Sequence, residues 1–204
     1  MKFILTTITL FFILKSSFSQ TYNQNDVLLT KKLYFYGYDF SKFQLADAKL
    51  MTRDLKSYIF KLSSFLDEHL PEKKLKKWFK KDTIIYNYMP TTNINKKINS
   101  DDIGCAFTTS ISSDSIQGII NKYQISDKQG IGYVVIFECF TKATKLASAY
   151  HVFFDVATKK IITSENIISK NGNSYRYISD WNGGAFSNLG FYKKLYKKRL
   201  DSLK

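Results

Sequence analysis

The sequence has few of the residues, and none of the short motifs, that mark several protein classes. Only two Pro and nine Gly occur among 204 residues, which excludes collagen-like repeats and Pro-rich linker proteins. The sequence lacks a Walker loop, a Gly-rich dinucleotide fingerprint, a GxSxG elbow and an HExxH pair. No catalytic motif therefore assigns an activity, and no cofactor is expected.

Histidine and cysteine are also scarce, with two residues of each. A zinc site would need His69, His151, Cys105 and Cys139 to converge, and their spacing does not support this, so no metal site is expected. Cys105 and Cys139 fall on separate predicted strands. They could form a disulfide in an oxidising compartment if these strands are adjacent, with Cα atoms about 4.4–6.8 Å apart. The alternative is two buried thiols that pack as small hydrophobic side chains.

Arginine is rare although the chain is strongly basic. Lys and Arg number 31 against 17 Asp and Glu, a formal charge of +14, but only Arg53, Arg176 and Arg199 are arginine. Because specific readers of nucleic acid favour the planar fork of Arg, no nucleic-acid partner is expected. The lysines cluster at 73–81 and 193–199 among apolar residues at helical spacing, which favours a solvated helix face. The alternative is a surface that binds an anionic envelope polymer or lipid head groups.

The first 19 residues have the three parts of a secretory signal peptide. A Lys near the start precedes an uncharged, mostly apolar stretch at 4–14, and Ser17 and Ser19 are small residues at the −3 and −1 positions before Gln20. The apolar stretch is shorter than the roughly 20 residues that span a bilayer, and no later stretch is long enough. We therefore expect cleavage near Ser19, a mature chain at 20–204 without a transmembrane segment, and a periplasmic or secreted location.

The mature chain is predicted to form a single α/β (α+β) domain in which strands and helices alternate. Three or four amphipathic helices would cover a mixed sheet that ends in an antiparallel meander. The predicted strands cover residues 32–38, 83–89, 103–108, 132–140, 148–156 and 160–168, and residues 91–101 are predicted to form a polar loop. The predicted helices cover residues 45–70, 72–81, 114–123 and 185–200.

The meander of the last three strands suggests one acid–base pair. If the loop between its first two strands is centred between Thr144 and Lys145, Glu138 lies opposite His151 on the same face. A carboxylate beside an imidazole can orient a general base, so this pair is the candidate catalytic site of a hydrolase. The alternative is a cross-strand polar pair, which is favoured because no nucleophile or oxyanion donor can be identified nearby.

Two other groups of residues are candidates for ligand or partner contact. Asp39 and Ser41 follow the first strand, at the rim where α/β sheets bind ligands, although both are also good helix caps. The Gly-, Asn- and Ser-rich stretch 169–184 is predicted to be a loop. Its aromatic side chains would anchor a partner, or the stretch is only the turn before the last helix. The candidates in this loop are Tyr175, Tyr177, Trp181 and Asn182.

Two segments resemble known exported proteins. YFYGYDFS in the first strand and YVVIFECF…AYHVFFDVATKKII in the meander resemble the periplasmic domain of curli-secretion and penicillin-binding-protein-activator lipoproteins. In FDVATKKI, Lys159 stands where those domains usually have the Gly of an Asp-x-x-Thr-Gly turn. GYDFSKF and FFDVATKKI are also similar to exported bacterial proteins without an assigned function. The resemblance covers most of 32–168 and implies an envelope module, but it identifies no catalytic residue. Membrane anchoring is not implied, because no lipobox is present.

Export, the lack of a catalytic motif and this resemblance together predict a non-enzymatic binding or assembly module of the cell envelope. Its partner would be an envelope protein or an anionic envelope polymer. Two alternatives stay open: a hydrolase that uses Glu138 and His151, and a lysine-rich binder of anionic envelope polymers.

Overall fold

The centre of the fold is a seven-stranded mixed β-sheet. A computed structural model describes residues 22–46, 55–105, 110–170 and 178–203. The strands are β1 (Lys32–Asp39), β2 (Gln44–Ala46), β3 (Thr83–Tyr86), β4 (Gly104–Cys105), β5 (Ile131–Thr141), β6 (Leu146–Asp155) and β7 (Ile161–Lys170). The helices in the described ranges are α1 (Gln24–Leu29), α2 (Leu55–His69), α3 (Glu72–Phe79), α4 (Met89–Asn95), α5 (Ser113–Asn121) and α6 (Ile178–Asp201), with a short 3₁₀ turn at Ser100–Asp102.

Strand β5 organises the sheet. Along one edge it pairs antiparallel with β6, which pairs antiparallel with β7. Along its other edge it pairs in parallel with β1 and then, further along, with β2. Strand β3 lies beside β1 and β4 beside β2, both in parallel. The predicted α/β class and the mixed sheet with a C-terminal antiparallel meander are therefore confirmed.

The sheet has two hydrophobic faces because side chains alternate along its buried strands. The larger face carries Tyr133, Val135 and Phe137 and packs against apolar side chains of α1, α2, α3 and α6. The smaller face carries Val134 and Ile136 and packs against α5. Ser112 caps α5, since its Oγ accepts a hydrogen bond from the amide of Ser115 at 3.2 Å, and the inner residues of this helix are buried. These inner residues are Ile116, Ile119, Ile120 and Tyr123.

Two short elements differ from the prediction. Residues predicted to begin the first long helix form β2, because the backbone of Leu45 pairs with β4 on one side and with β5 on the other. Residues predicted to be a polar loop form α4. Pro90 lies in the first turn of this helix, where the missing N–H of proline costs no hydrogen bond.

The register of the β5–β6 hairpin is also different, and the predicted pairing of Glu138 with His151 is wrong. His151 pairs with Val135. One cause is the turn, which spans 142–145 and is centred one residue earlier than predicted, with Lys145 in the left-handed region at φ 57°.

The second cause is an irregularity in β5 between Phe137 and Cys139. Residues before it and after it pair with β6 in registers that differ by one residue, so Glu138 has no partner opposite it. A β-bulge of this kind adds one residue to one strand and shifts the alternation of side chains.

Several predicted features lie outside the described residues. These are the signal peptide at 1–19 and the candidate contact residues Tyr175 and Tyr177. Within the described ranges, no helix combines the length and the hydrophobicity that a membrane crossing requires.

Candidate functional site

A cleft of about 620 Å³ opens at the carboxyl end of β1. Ligands bind preferentially at this end of the strands in α/β sheets, and the volume is within the range of small-molecule sites. Its polar lining combines hydroxyl, amide, carboxylate and ammonium groups. The polar residues are Ser41, Lys42, Gln44, Lys97, Asn99, Asp102 and Lys122.

The cleft also has an apolar lining, which consists of Phe40, Phe43, Ile94, Ile98 and Ile103. Phe40, Phe43 and Ile103 are buried parts of the hydrophobic core, so this part of the lining is fixed by packing below it.

Asp39 fixes the turn that carries Ser41 to the rim. Its carboxylate is fully buried; Oδ1 accepts from the amide of Ser41 at 2.7 Å and Oδ2 accepts from the Tyr123 hydroxyl at 2.7 Å. Burial raises the pKa of Asp39, while hydrogen bonds from Tyr123 and Ser41 and the charge of Lys122 oppose the rise. Burial and Asp39 raise the pKa of Tyr123 well above its usual value, so this hydroxyl keeps its proton and acts as the donor.

Helix α4 holds the same segment from another side. The amide of Phe40 donates to Asn95 Oδ1 at 2.9 Å, and Asn95 Nδ2 donates to the carbonyl of Tyr38 at 2.8 Å. The Thr91 hydroxyl donates to the carbonyl of Tyr36 at 2.6 Å. Asn95 and Thr91 are both buried, so these bonds are shielded from water and fix the end of β1 in one conformation.

Gly37 gives β1 the bend that leads into this turn. Its φ of +83° is in the left-handed region, and the pairing of β1 with β5 shifts register between Phe35 and Tyr38. A Cβ atom at Gly37 would lie 2.6 Å from Cδ1 of Tyr88. Only glycine avoids both the strained backbone and this clash.

The charge around the cleft is positive. Lys42, Lys97 and Lys122 line it and are exposed, against one lining carboxylate, Asp102. A cleft lined by both ammonium groups and apolar side chains can bind a ligand that has an anionic group and an apolar portion. The ammonium groups attract the anionic group, and the apolar side chains shield the apolar portion from water.

Of the two predicted rim residues, Ser41 lines the cleft, whereas Asp39 is buried beneath it and positions Ser41. The chain continues from this turn into β2, so neither residue caps a helix. Sequence reasoning missed Lys97, Lys122 and Asn95. Asn95 and Lys97 fall in the stretch taken for a polar loop, and nothing in the local pattern shows that these residues approach β1.

Glu138 and His151 point to opposite faces of the sheet, so the candidate hydrolase site is wrong. On the smaller face, Glu138 Oε1 accepts from the amide of Ile111 at 2.8 Å and Oε2 accepts from Asn166 Nδ2 at 3.0 Å. On the larger face, His151 stacks on Tyr192 with ring centroids 3.9 Å apart. Its burial lowers its pKa to about 3, so the imidazole is neutral.

Trp181 and Asn182 lie in α6 rather than in a contact loop. Trp181 is fully buried and its ring lies 5.6 Å from Phe43 and 5.9 Å from Phe140, so it is part of the core and the predicted partner contact is wrong. Helix α6 begins at Ile178, because the burial of Trp181 outweighs the low helix propensity of the glycines that follow.

The strands that carry Cys105 and Cys139 are not neighbours, because β2 lies between β4 and β5. Two strand spacings of about 4.8 Å exceed the Cα separation of a disulfide, so the adjacency that a disulfide required is not met. Cys139 is buried, with its Sγ 3.4 Å from Thr141 Oγ1.

The described residues contain no group of three or more His, Cys, Asp and Glu side chains that could hold a metal ion. The chain matches no protein-family model, and no significant match to a curated protein or to a solved structure was found. The cleft at the end of β1 therefore has to be interpreted from its own geometry.

Proposed function

We propose that the chain is an exported binding module of the cell envelope, and that its cleft binds a ligand with an anionic head group and an apolar portion. The observation that carries this proposal is the position of Lys42, Lys97 and Lys122 around a cleft at the carboxyl end of β1 that is also lined by apolar side chains.

The rigidity of the cleft supports a binding role. The segment at its rim is held by Asp39, Asn95 and Tyr123 through buried hydrogen bonds. A site that is ordered before the ligand arrives loses less entropy on binding, which favours affinity. The signal-peptide pattern at 1–19 and the resemblance to envelope lipoprotein domains support export.

A ligand-induced stabilisation experiment tests the chemistry of the ligand. Octyl phosphate should raise the melting temperature of the mature chain, whereas octyl glucoside and octyltrimethylammonium at the same concentration should not. Saturation at about 100 times Kd corresponds to about 2.7 kcal/mol of stabilisation. Equal shifts with all three compounds would show that the lysines do not select the ligand, and no shift with any would contradict the proposal.

Matched lysine variants test the location. Lys97→Gln with Lys122→Gln should weaken octyl phosphate binding, measured by calorimetric titration, by about tenfold or more, since a charge-assisted contact contributes about 1.5–3 kcal/mol. Lys128→Gln with Lys160→Gln changes the net charge equally at exposed positions outside the cleft lining and should leave the affinity unchanged. Equal losses in the two double variants would mean that binding depends only on net charge.

Export is tested separately by the intact mass of the protein recovered from the envelope or medium of an expressing bacterium. The mass should correspond to a chain that starts at Gln20. A chain that retains Met1–Ser19 would contradict export with cleavage.

A further inference from the structure

The two lysine clusters of the sequence lie on one surface because α3 and α6 pack side by side. The ring centroids of Phe79 in α3 and Tyr196 in α6 are 4.8 Å apart, and Nζ of Lys80, the residue after α3, lies 3.7 Å from Oδ1 of Asp201 in α6. Exposed lysines therefore border the line of contact between the helices on both sides. The lysine face is defined by Lys74, Lys77, Lys193 and Lys197, all exposed, together with half-buried Trp78.

One lysine from each helix lies over the ring of Trp78. The Nζ atoms of Lys74 and Lys193 lie 5.7 Å and 5.1 Å from the centroid of its ring. Cation–π attraction can hold an ammonium group at this distance. A second lysine follows one turn later on each helix: Lys77 is three residues after Lys74, and Lys197 is four residues after Lys193. Residues at these spacings lie on the same side of a helix, so the positive charge continues along both helices.

The charges of the lysine face form no ion pair within the described ranges. The ion pairs found on α3 and α6 involve Lys76, Lys80 and Arg199, and none of the four lysines of the face forms one with a described residue. Like charges that stay close together favour the binding of an anion that spans them.

We propose that the lysine face is a docking surface for a linear polymer of phosphate groups, independent of the cleft at the end of β1. Lysine contacts phosphate as a point charge without directional selectivity, which suits a repeating polymer better than a ligand of fixed shape. The two rows of charge, on neighbouring helices with a half-buried ring between them, form an elongated surface rather than a single anion pocket.

Two other partners fit the face less well. Binding to an anionic bilayer is strengthened by protruding apolar side chains that enter the head-group layer, but Trp78 is half-buried between the helices and adds little of this kind. A nucleic acid without sequence preference stacks its bases on open aromatic faces, whereas the ring of Trp78 is already approached by two ammonium groups.

The experiment measures binding of the mature chain to fluorescently labelled medium-chain sodium polyphosphate at several salt concentrations. The test variant carries Lys→Gln at Lys74, Lys77, Lys193 and Lys197. The control variant carries Lys→Gln at four other exposed positions and has the same net charge. These control positions are Lys96, Lys128, Lys160 and Lys170.

The unchanged chain and the control variant should bind polyphosphate, with an affinity that falls steeply with salt. The slope of log K against log salt should be smaller in the test variant by about 0.7 per lost lysine contact. Between 50 mM and 200 mM salt, the fall in affinity should thus be about fifty-fold smaller for the test variant.

Equal binding by the test and control variants would overturn the proposal, because charge alone would then decide affinity. Tighter binding to oligothymidylate than to polyphosphate would also overturn it in favour of base stacking. Tighter binding to vesicles of phosphatidylglycerol would overturn it in favour of a membrane surface. Circular dichroism of both variants shows that each is folded, since all eight positions are exposed.

Discussion

Replacement of Asn188 by leucine should destabilise the protein strongly, although the two side chains are similar in size. Asn188 in α6 is fully buried and bonds to the meander strands on the larger face of the sheet. The Tyr133 hydroxyl donates to Nδ1 of neutral His151 at 2.8 Å, and His151 Nε2 donates to Asn188 Oδ1 at 3.0 Å. Asn188 Nδ2 in turn donates to the main-chain carbonyls of Ala147 and Ile167.

The magnitude follows from the groups that lose their partners. Asn188→Leu leaves the buried N–H of His151 without an acceptor, which costs about 1–3 kcal/mol, and removes one hydrogen bond from each of two carbonyls, at about 0.5–1.5 kcal/mol each. The sum of about 2–6 kcal/mol is a large part of the 5–15 kcal/mol that is typical of a domain.

Urea unfolding at neutral pH measures this loss, with Asn182→Leu as the matched control on the same helix. The Oδ1 atom of Asn182 is buried without a hydrogen-bond partner among the described residues, so its replacement breaks no bond of that oxygen and should not lower the free energy of unfolding. If Asn188→Leu is no more destabilising than Asn182→Leu, the hydrogen-bond network does not stabilise the fold.

Three further predictions concern buried groups. Burial lowers the pKa of His151 to about 3 in the folded chain, against about 6.5 when unfolded, so acid stabilises the unfolded state. The advantage in unfolding free energy of the unchanged chain over His151→Gln should therefore shrink by about 2.5 kcal/mol between pH 7 and pH 4.5, and parallel curves would contradict this. Burial lowers the pKa of Lys81 to about 7, so the unfolding free energy should rise from pH 7 to 10 in the unchanged chain but not in Lys81→Met, as urea unfolding at each pH would show. Gly37→Ala should lower the melting temperature because of its positive φ and the Tyr88 ring, whereas Gly118→Ala in α5, with open space around its Cβ, should raise it; the reverse order would refute the bend described in β1.

The sequence predicted the elements whose signal is local. Strands β5 and β6 are continuous apolar runs bounded by polar turns, and α5 has both a Ser cap and inner residues at helical spacing. Propensity, pattern and capping agree in these segments, so their class and the meander topology could be predicted.

The register of the hairpin could not be predicted, because it depends on two features without a sequence pattern. A four-residue turn and a seven-residue loop are both compatible with the polar residues between β5 and β6. The irregularity lies at Glu138, whose carboxylate bonds to Ile111 and Asn166 from other parts of the chain, so no local pattern reveals it. Since side chains alternate, a shift of one residue moved His151 to the other face.

The candidate site was predicted only in part for the same reason. Ser41 could be placed at the rim because the end of a strand is visible in the sequence. Lys97 and Lys122 reach the cleft through the packing of α4 and α5, at separations of more than fifty residues from Ser41 that no periodicity records. The glycines after Trp181 have low helix propensity and so favour a loop. The burial of Trp181, which places it in α6, is a tertiary effect that the local sequence does not show.

The most direct test of the cleft as a binding site is a nuclear magnetic resonance titration of the ¹⁵N-labelled mature chain with octyl phosphate. The proposed cleft site predicts that the largest amide shifts fall at 40–44 and 97–99 and at Lys122, with little change at 74–78 and 193–197 on the lysine face. Shifts that are largest on the lysine face, or that are spread evenly over exposed lysines, would contradict it.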